Sequence, residues 1–176
     1  MTEEIGPVQL VAIGFPPDAE FEGRIIDLTS EDWQGATSCV ATHGFFEWRC
    51  FRTDAQAKIF IRQEDDAAAT GGQAAAQVSV CSEYAVFYTG YARGGKGFSY
   101  RVAVTNWRNL PAKNQISSVL PPSDCEVHLA DFNLGGGPHA GICKGCEVKD
   151  LRGIDHNLPA GRNWDDRANS FILIKK

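Results

Sequence analysis

Positive charge is scarce in this chain: 17 lysines and arginines face 22 aspartates and glutamates, a net charge of −5. That balance excludes the basic surface on which nucleic-acid binding rests. Long apolar runs are missing too. No stretch nears the roughly 18 residues that a membrane-spanning helix requires, so no membrane span is expected. Helix-forming sequence is sparse. Methionine occurs once, and the alanine-rich stretch from Asp65 to Ala76 is interrupted by Gly71 and Gly72, so it reads as a short helix or a surface loop. The signatures of common enzymes are absent as well. The four histidines, His43, His128, His139 and His156, show no metalloprotease spacing. There is no Gly-x-Ser-x-Gly elbow, and Gly94 to Gly97 lacks the helix that a phosphate loop needs. No enzymatic activity is expected.

Short strands take the place of helices. Val8 to Ile13, Arg24 to Leu28, Phe45 to Phe51, Lys58 to Arg62, Tyr84 to Tyr88, Phe98 to Val104, Cys125 to Leu129 and Ser170 to Ile174 are rich in β-branched and aromatic residues. Each is bounded by Gly, Pro, Asp or Asn, and 18 glycines supply turns. This density of short strands predicts an all-β sandwich or barrel.

The six cysteines, Cys39, Cys50, Cys81, Cys125, Cys143 and Cys146, are an even set that suits disulfides and an oxidising compartment. The sequence does not choose their pairing. It leans toward an extracellular or cell-surface location, although the acidic start Met1 to Gly6 is no signal peptide. Cys143 and Cys146 form a CxxC that, with Cys125 and His139, has the composition of a Cys₃His zinc site. The competing readings are a disulfide or buried thiols, and a redox pair, which would need a strand-to-helix unit that is not legible.

Two elements recur. The first is a strand leading through an aromatic residue or leucine into glycine and another strand: Ala19 to Leu28 with Phe21 and Gly23, Tyr91 to Tyr100 with Gly94 and Gly95, and Asn133 to Gly137 with Leu134, Gly135 and Gly136. Such hairpins need a backbone that glycine adopts most readily. The second is a polar turn leading into a strand: Trp33 to Val40, Gly71 to Val80, Lys113 to Leu120 and Asp165 to Ile172. With Thr37, Ala75, Ser117 and Asn169 as equivalents, the spacings are 38, 42 and 52 residues. The tetrapeptide Asn-Leu-Pro-Ala, at Asn109 to Ala112 and again at Asn157 to Ala160, leads into the last two of these turns.

Strand, aromatic-x-Gly hairpin, strand, then a turn of the form N/D-N/D-x-x-S/T-S and a last strand resembles the Greek-key motif of the βγ-crystallins. The resemblance is best from Tyr84 to the C-terminus, and the second unit, residues 44–83, fits least. It implies two βγ-crystallin-like Greek-key β-sandwich domains, residues 1–83 and 84–176, two motifs in each. It also implies Ca²⁺ as ligand, because intact turns of the family bind that ion in facing pairs. A hard ion wanting six to eight oxygens suits a turn rich in carboxylate, hydroxyl and carbonyl groups.

Carried onto this sequence, the fourth turn offers Asp165 and Asp166, with Asn169 at the Ser/Thr position and Ser170 closing it. The third offers Asn114, Ser117 and Ser118, with Lys113 at the first acidic position. Ligand sharing between turns would join Asp166 to Ser117 and Asn114 to Asn169, whose amide oxygen would coordinate. Lys113 should weaken binding, so one site is expected there. None is expected in the N-terminal half, where Gln34 and Gly72 hold the key positions. The same residues would also serve a turn that merely satisfies local backbone groups. Trp164 reads as a core residue. The expected role is a structural or surface-coat protein stabilised by Ca²⁺. The rivals are a secreted protease inhibitor or antimicrobial toxin, acting through loops such as Asp65 to Ala76 or Gly135 to Cys143, and a protein- or glycan-binding module using exposed aromatics such as Tyr91.

Overall fold

A computed structural model of the chain describes residues 18–30, 32–42, 47–70, 80–102 and 107–175. The expected strand at Val8 to Ile13 and the turn containing Gly72 and Ala75 lie outside the described residues. In chain order the elements are β1 (Asp18–Phe21), β2 (Arg24–Asp27), β3 (Ser38–Ala41), β4 (Trp48–Phe51), helix α1 (Asp54–Thr70), β5 (Val80–Tyr88), β6 (Gly97–Val102), β7 (Arg108–Asn109), β8 (Ser118–Leu120), β9 (Cys125–Ala130), β10 (His139–Ile142) and β11 (Ser170–Lys175). They make a seven-stranded sheet, ordered β2-β1-β4-β3-β6-β5-β8, and a four-stranded sheet, ordered β10-β9-β11-β7.

Alternation of apolar and polar residues sets the facing surfaces. In β9, Cys125, Val127 and Leu129 are buried while Glu126 and His128 are half-buried. Phe171 of β11 meets Phe87 of β5 at 4.7 Å and Tyr100 of β6 at 5.1 Å between ring centroids, joining the two sheets. Burial of each such ring contributes roughly 1.5–3 kcal/mol.

The chain crosses between sheets as a Greek key requires. β7 lies between β6 and β8 in sequence, yet pairs with β11 of the other sheet. Conversely Val148, between β10 and β11, bridges to Val119 of β8. One motif thus lends a short strand, and the other a single bridged residue, to its partner's sheet. The Cys81–Cys125 disulfide spans the same gap, from β5 to β9.

The N-terminal strands extend the first sheet. β1 and β2 form a hairpin turned on Glu22 (φ 50°) and Gly23 (φ 75°), the mirror-image turn that suits strand twist. β3 pairs antiparallel with β4, in a register that sets Cys39 opposite Cys50, and the two are disulfide-bonded. On its other side β3 runs parallel to β6, so the sheet continues across the expected boundary at residue 83, which falls inside β5. Most of the buried apolar residues, from Ala19 to Leu173, form one connected cluster.

One expected strand is a helix. Lys58 to Arg62 reads as β by its isoleucines and phenylalanine, but it lies inside α1. Spacing decides: Ala57, Phe60, Ile61, Glu64 and Asp65 are the buried and half-buried positions, the i, i+3, i+4, i+7, i+8 stripe of an amphipathic helix. The start is a capping box. Gln56 N–H donates to Thr53 Oγ1 and Thr53 N–H donates to Gln56 Oε1, both at 3.2 Å. Phe60 then packs against Phe51 of β4 at 5.2 Å, and Asp65 meets Arg101 of β6 at 2.6 Å.

Two measurements check this account. Thr53→Ala removes the cap and should cost about 1 kcal/mol in urea denaturation; no loss would mean that packing alone sets the helix start. The Cys81→Ala/Cys125→Ala double variant opens a loop with a separation of 44 residues, for which chain entropy predicts a loss of about 4 kcal/mol. A loss below that of the cap variant would show that the bridge constrains little.

Candidate metal-binding turns

The third and fourth polar turns face each other. Asn114 N–H donates to the Ala168 carbonyl and Asp166 N–H donates to the Ile116 carbonyl, both at 3.1 Å. This reciprocal clasp needs a left-handed residue at each turn, and Asn114 (φ 54°) and Asp166 (φ 50°) supply it. Asn and Asp are enriched in that conformation. Gln34 of the first turn has φ 54° as well.

The closing serines anchor the adjoining hairpins in the same way. Ser118 Oγ donates to the Gly90 carbonyl at 2.7 Å and accepts from Arg93 N–H at 3.2 Å. Ser170 Oγ donates to the Phe132 carbonyl at 2.6 Å and accepts from Gly135 N–H at 2.9 Å. Those hairpins fold over short 3-10 turns at Tyr91–Arg93 and Asn133–Gly135. Each then needs glycine: a Cβ on Gly95 (φ 72°) would meet Thr89 Oγ1 at 2.5 Å, and one on Gly137 (φ 75°) would meet Phe132 Cδ2 at 2.9 Å. The Phe21-x-Gly23 hairpin, grouped with these two in the sequence, is instead the tight two-residue turn of β1–β2.

The structure brings together both expected side-chain pairs. Ser117 Oγ lies 3.4 Å from Asp166 Oδ1, and Asn169 Nδ2 donates to Asn114 Oδ1 at 2.9 Å. The two places differ sharply in charge. At the first, Asp165 adjoins Asp166, and its Oδ2 accepts the Tyr91 phenol at 2.7 Å. The other oxygen, Oδ1, is buried without a hydrogen-bond partner among the described residues. Desolvation, and then the charge on Asp165, holds the Asp166 carboxyl above its ordinary range, against the Ser117 hydroxyl. Tyr91 carries the Arg152 guanidinium 4.1 Å above its ring. Arg152 in turn forks onto Asp150, with Nε 2.9 Å from Oδ1 and Nη2 2.7 Å from Oδ2. The bond to Asp165 is the chief cause that pushes the Tyr91 phenol up and keeps it protonated.

At the second place, three oxygens converge on one amide nitrogen. Asn169 Nδ2 donates to Asn114 Oδ1, to the Asp131 carbonyl and, at 3.4 Å, to the Arg167 carbonyl. Three acceptors require the nitrogen rather than the oxygen to point inward, the reverse of the orientation expected for a ligand. The buried Asp131 carboxylate beside it takes the Arg167 guanidinium at 2.5 Å. A donor and a fixed cation fill this place.

Tyr91 stood out in the sequence only as an exposed aromatic, while Asp131, Arg152 and Arg167 did not stand out at all. The usable signal is position: Asp131 ends β9 just before the glycine-rich hairpin. Trp164 is fully buried, and its indole donates to the His156 carbonyl at 3.0 Å. The CxxC composition of a zinc site is not realised, since Cys143 is bonded to Cys146 and Cys125 to Cys81. Cys81, Asp124 and Cys125 also lie together, but a disulfide offers no thiolate to a metal.

No family model matches the chain, and no curated protein matches it. Among solved structures, it is similar to one concerned with the evolution of the eye lens βγ-crystallin domain fold, at 14% identity, over 58% of this chain and 94% of that one, with a TM-score of 0.42. A βγ-crystallin domain from Flavobacterium johnsoniae is similar at 18% identity, over 52% and 94%, with a TM-score of 0.38. A clostrillin double mutant, two serines replaced by histidine and in complex with nickel, is similar at 13% identity, over 53% and 100%, with a TM-score of 0.40. In structure, then, this chain is similar to βγ-crystallin domains over a little more than half of its length.

Proposed function

We propose that this is a non-enzymatic, disulfide-braced structural protein of an extracellular or surface coat, whose residues 84–176 take one Ca²⁺ ion at Asp165, Asp166 and Ser117. The observation that carries this reading is the asymmetry of the facing turns. One place holds two adjacent carboxylates, a buried oxygen without a hydrogen-bond partner among the described residues, and an acid whose ionised form is disfavoured. The other holds an amide donor and an arginine. A dication relieves the first and has no room in the second.

Ca²⁺ suits the donor set better than Mg²⁺, which demands a strict octahedron and sheds water reluctantly. The ion would be held by the Asp166 and Asp165 carboxylates with the Ser117 hydroxyl, and would supply the positive charge that offsets the repulsion between those carboxylates. Asn114 and Asn169 serve the clasp rather than the ion. Three disulfides support an oxidising compartment. The glycan-binding reading has less support, because Arg152 already covers one face of the Tyr91 ring.

Calorimetric titration of the full chain should give one Ca²⁺ per molecule, and Asp166→Ala should abolish the heat. At a hundredfold excess over Kd, linkage stabilises the fold by about 2.7 kcal/mol. For a chain of this size that raises Tm by about 5–10 °C. Melting that a chelator leaves unchanged, with no binding heat, would overturn the proposal.

Without metal, the sign for Asp166 follows from its raised folded pKa. Its contribution is fully present below the unfolded value of about 3.9 and is lost as pH rises through the folded value. Asp166→Asn keeps a residue that tolerates positive φ, so in chelator it should melt above wild type at pH 7. The gap should close as pH falls below the ordinary aspartate range. In Ca²⁺ the order should reverse. A variant less stable than wild type at pH 7 in chelator would show that the carboxylate is not disfavoured.

A further inference from the structure

The three disulfides differ in access. Cys39, Cys50, Cys81 and Cys125 are between 0% and 4% exposed, whereas Cys143 and Cys146 are both exposed. The first four are fixed on β3, β4, β5 and β9. The last two clip a loop with a sequence separation of 3, just past β10. That loop has its own supports. Gly145 N–H donates to the Pro122 carbonyl at 2.8 Å, and Cys146 N–H donates to the Cys143 carbonyl at 3.1 Å. Beyond it, Val148 and Val119 exchange both main-chain bonds at 2.9 Å, and Arg93 forks onto Glu147 at 2.8 and 2.9 Å. Main-chain bonds and an ion pair thus hold the fold around the clip in addition to its sulfur–sulfur bond. So short a loop also constrains the unfolded chain least of the three.

We propose that Cys143–Cys146 is a thiol–disulfide exchange site whose partner is a thiol, carried by a small molecule or by a protein cysteine pair. An incoming thiolate attacks one sulfur, forming a mixed disulfide. The Cys143–Cys146 bond breaks, and the other cysteine leaves with the electron pair as a thiolate, which takes a proton from water. A second partner thiolate attacks the partner's sulfur in the mixed disulfide and releases the remaining cysteine. Two partner thiols end as one disulfide, and the clip ends as two thiols. Lys144 within the loop and Lys149 just beyond it bring positive charge to the segment in which the thiolate forms, and Arg93 engages the nearby Glu147 carboxylate. Exposure selects this pair because exchange needs in-line access to sulfur.

The test uses the full oxidised chain in glutathione buffers of rising reducing strength, with timed quenching, differential alkylation and peptide mass mapping. Cys143 and Cys146 should become alkylated at least about tenfold faster than the other four, while far-ultraviolet dichroism and tryptophan emission stay unchanged. The Cys146→Ser variant should trap glutathione on Cys143 if a small thiol suffices. A parallel arm with a reduced CxxC oxidoreductase reads the protein source; faster reaction there than with glutathione identifies a protein partner, and the reverse a small one. Reduction of all three disulfides together with loss of the folded signals would overturn the proposal. So would reaction of a buried pair first, or a clip that resists both partners while the fold persists.

Discussion

Two main-chain bonds organise the C-terminal half: Asn114 N–H to the Ala168 carbonyl and Asp166 N–H to the Ile116 carbonyl. Each donor sits on a residue with positive φ, so the clasp restricts both positions to the few side chains that tolerate it. It also fixes where the next residues go. Ser117 is delivered against Asp166, Asn169 against Asn114, and Ser118 and Ser170 reach back to the folded hairpins. Strand exchange by β7 and Val148 then locks the two sheets around Phe87, Tyr100 and Phe171. The backbone demand comes first, and the chemistry of the turns is what the permitted side chains make of it.

One scaffold thereby presents two pockets of oxygen with opposite electrostatics. Around Asp166 negative charge accumulates and is partly desolvated. Around Asn169, an amide nitrogen stands among three acceptors, with Arg167 balancing Asp131. There a hydrogen-bond donor meets the converging lone pairs.

Much of the C-terminal half was legible because its signals are local: strand runs at β5, β6, β9 and β11, paired polar turns, and glycines at the folded hairpins. The helix α1 was misread because composition spoke for β while the apolar spacing and the Thr53–Gln56 box spoke for a helix. The extension of the sheet through β3 and β6 has no local signature, since parallel pairing joins residues as far apart as Cys39 and Phe98. The repeated tetrapeptide was only half a guide. Leu110 is buried and its N–H donates to the Asn169 carbonyl, continuing from β7. Asn157 instead has φ 62° and bonds the His139 carbonyl through its side chain. Identical letters serve different places because the longer final loop shifts their register against the turn.

The parallel pairing of β3 with β6 has a consequence for self-association. It covers a flank of the Greek-key sheet and makes β2 the outermost described strand on that side, at the opposite end of the sheet from β8. A terminal strand invites intermolecular pairing unless charge or brevity blunts it. β2 is four residues long and begins with Arg24 and ends with Asp27, with Ile25 and Ile26 between them. Ile25 is 69% exposed, flanked by the charges of Arg24 and Asp27 in the manner of gatekeeper residues.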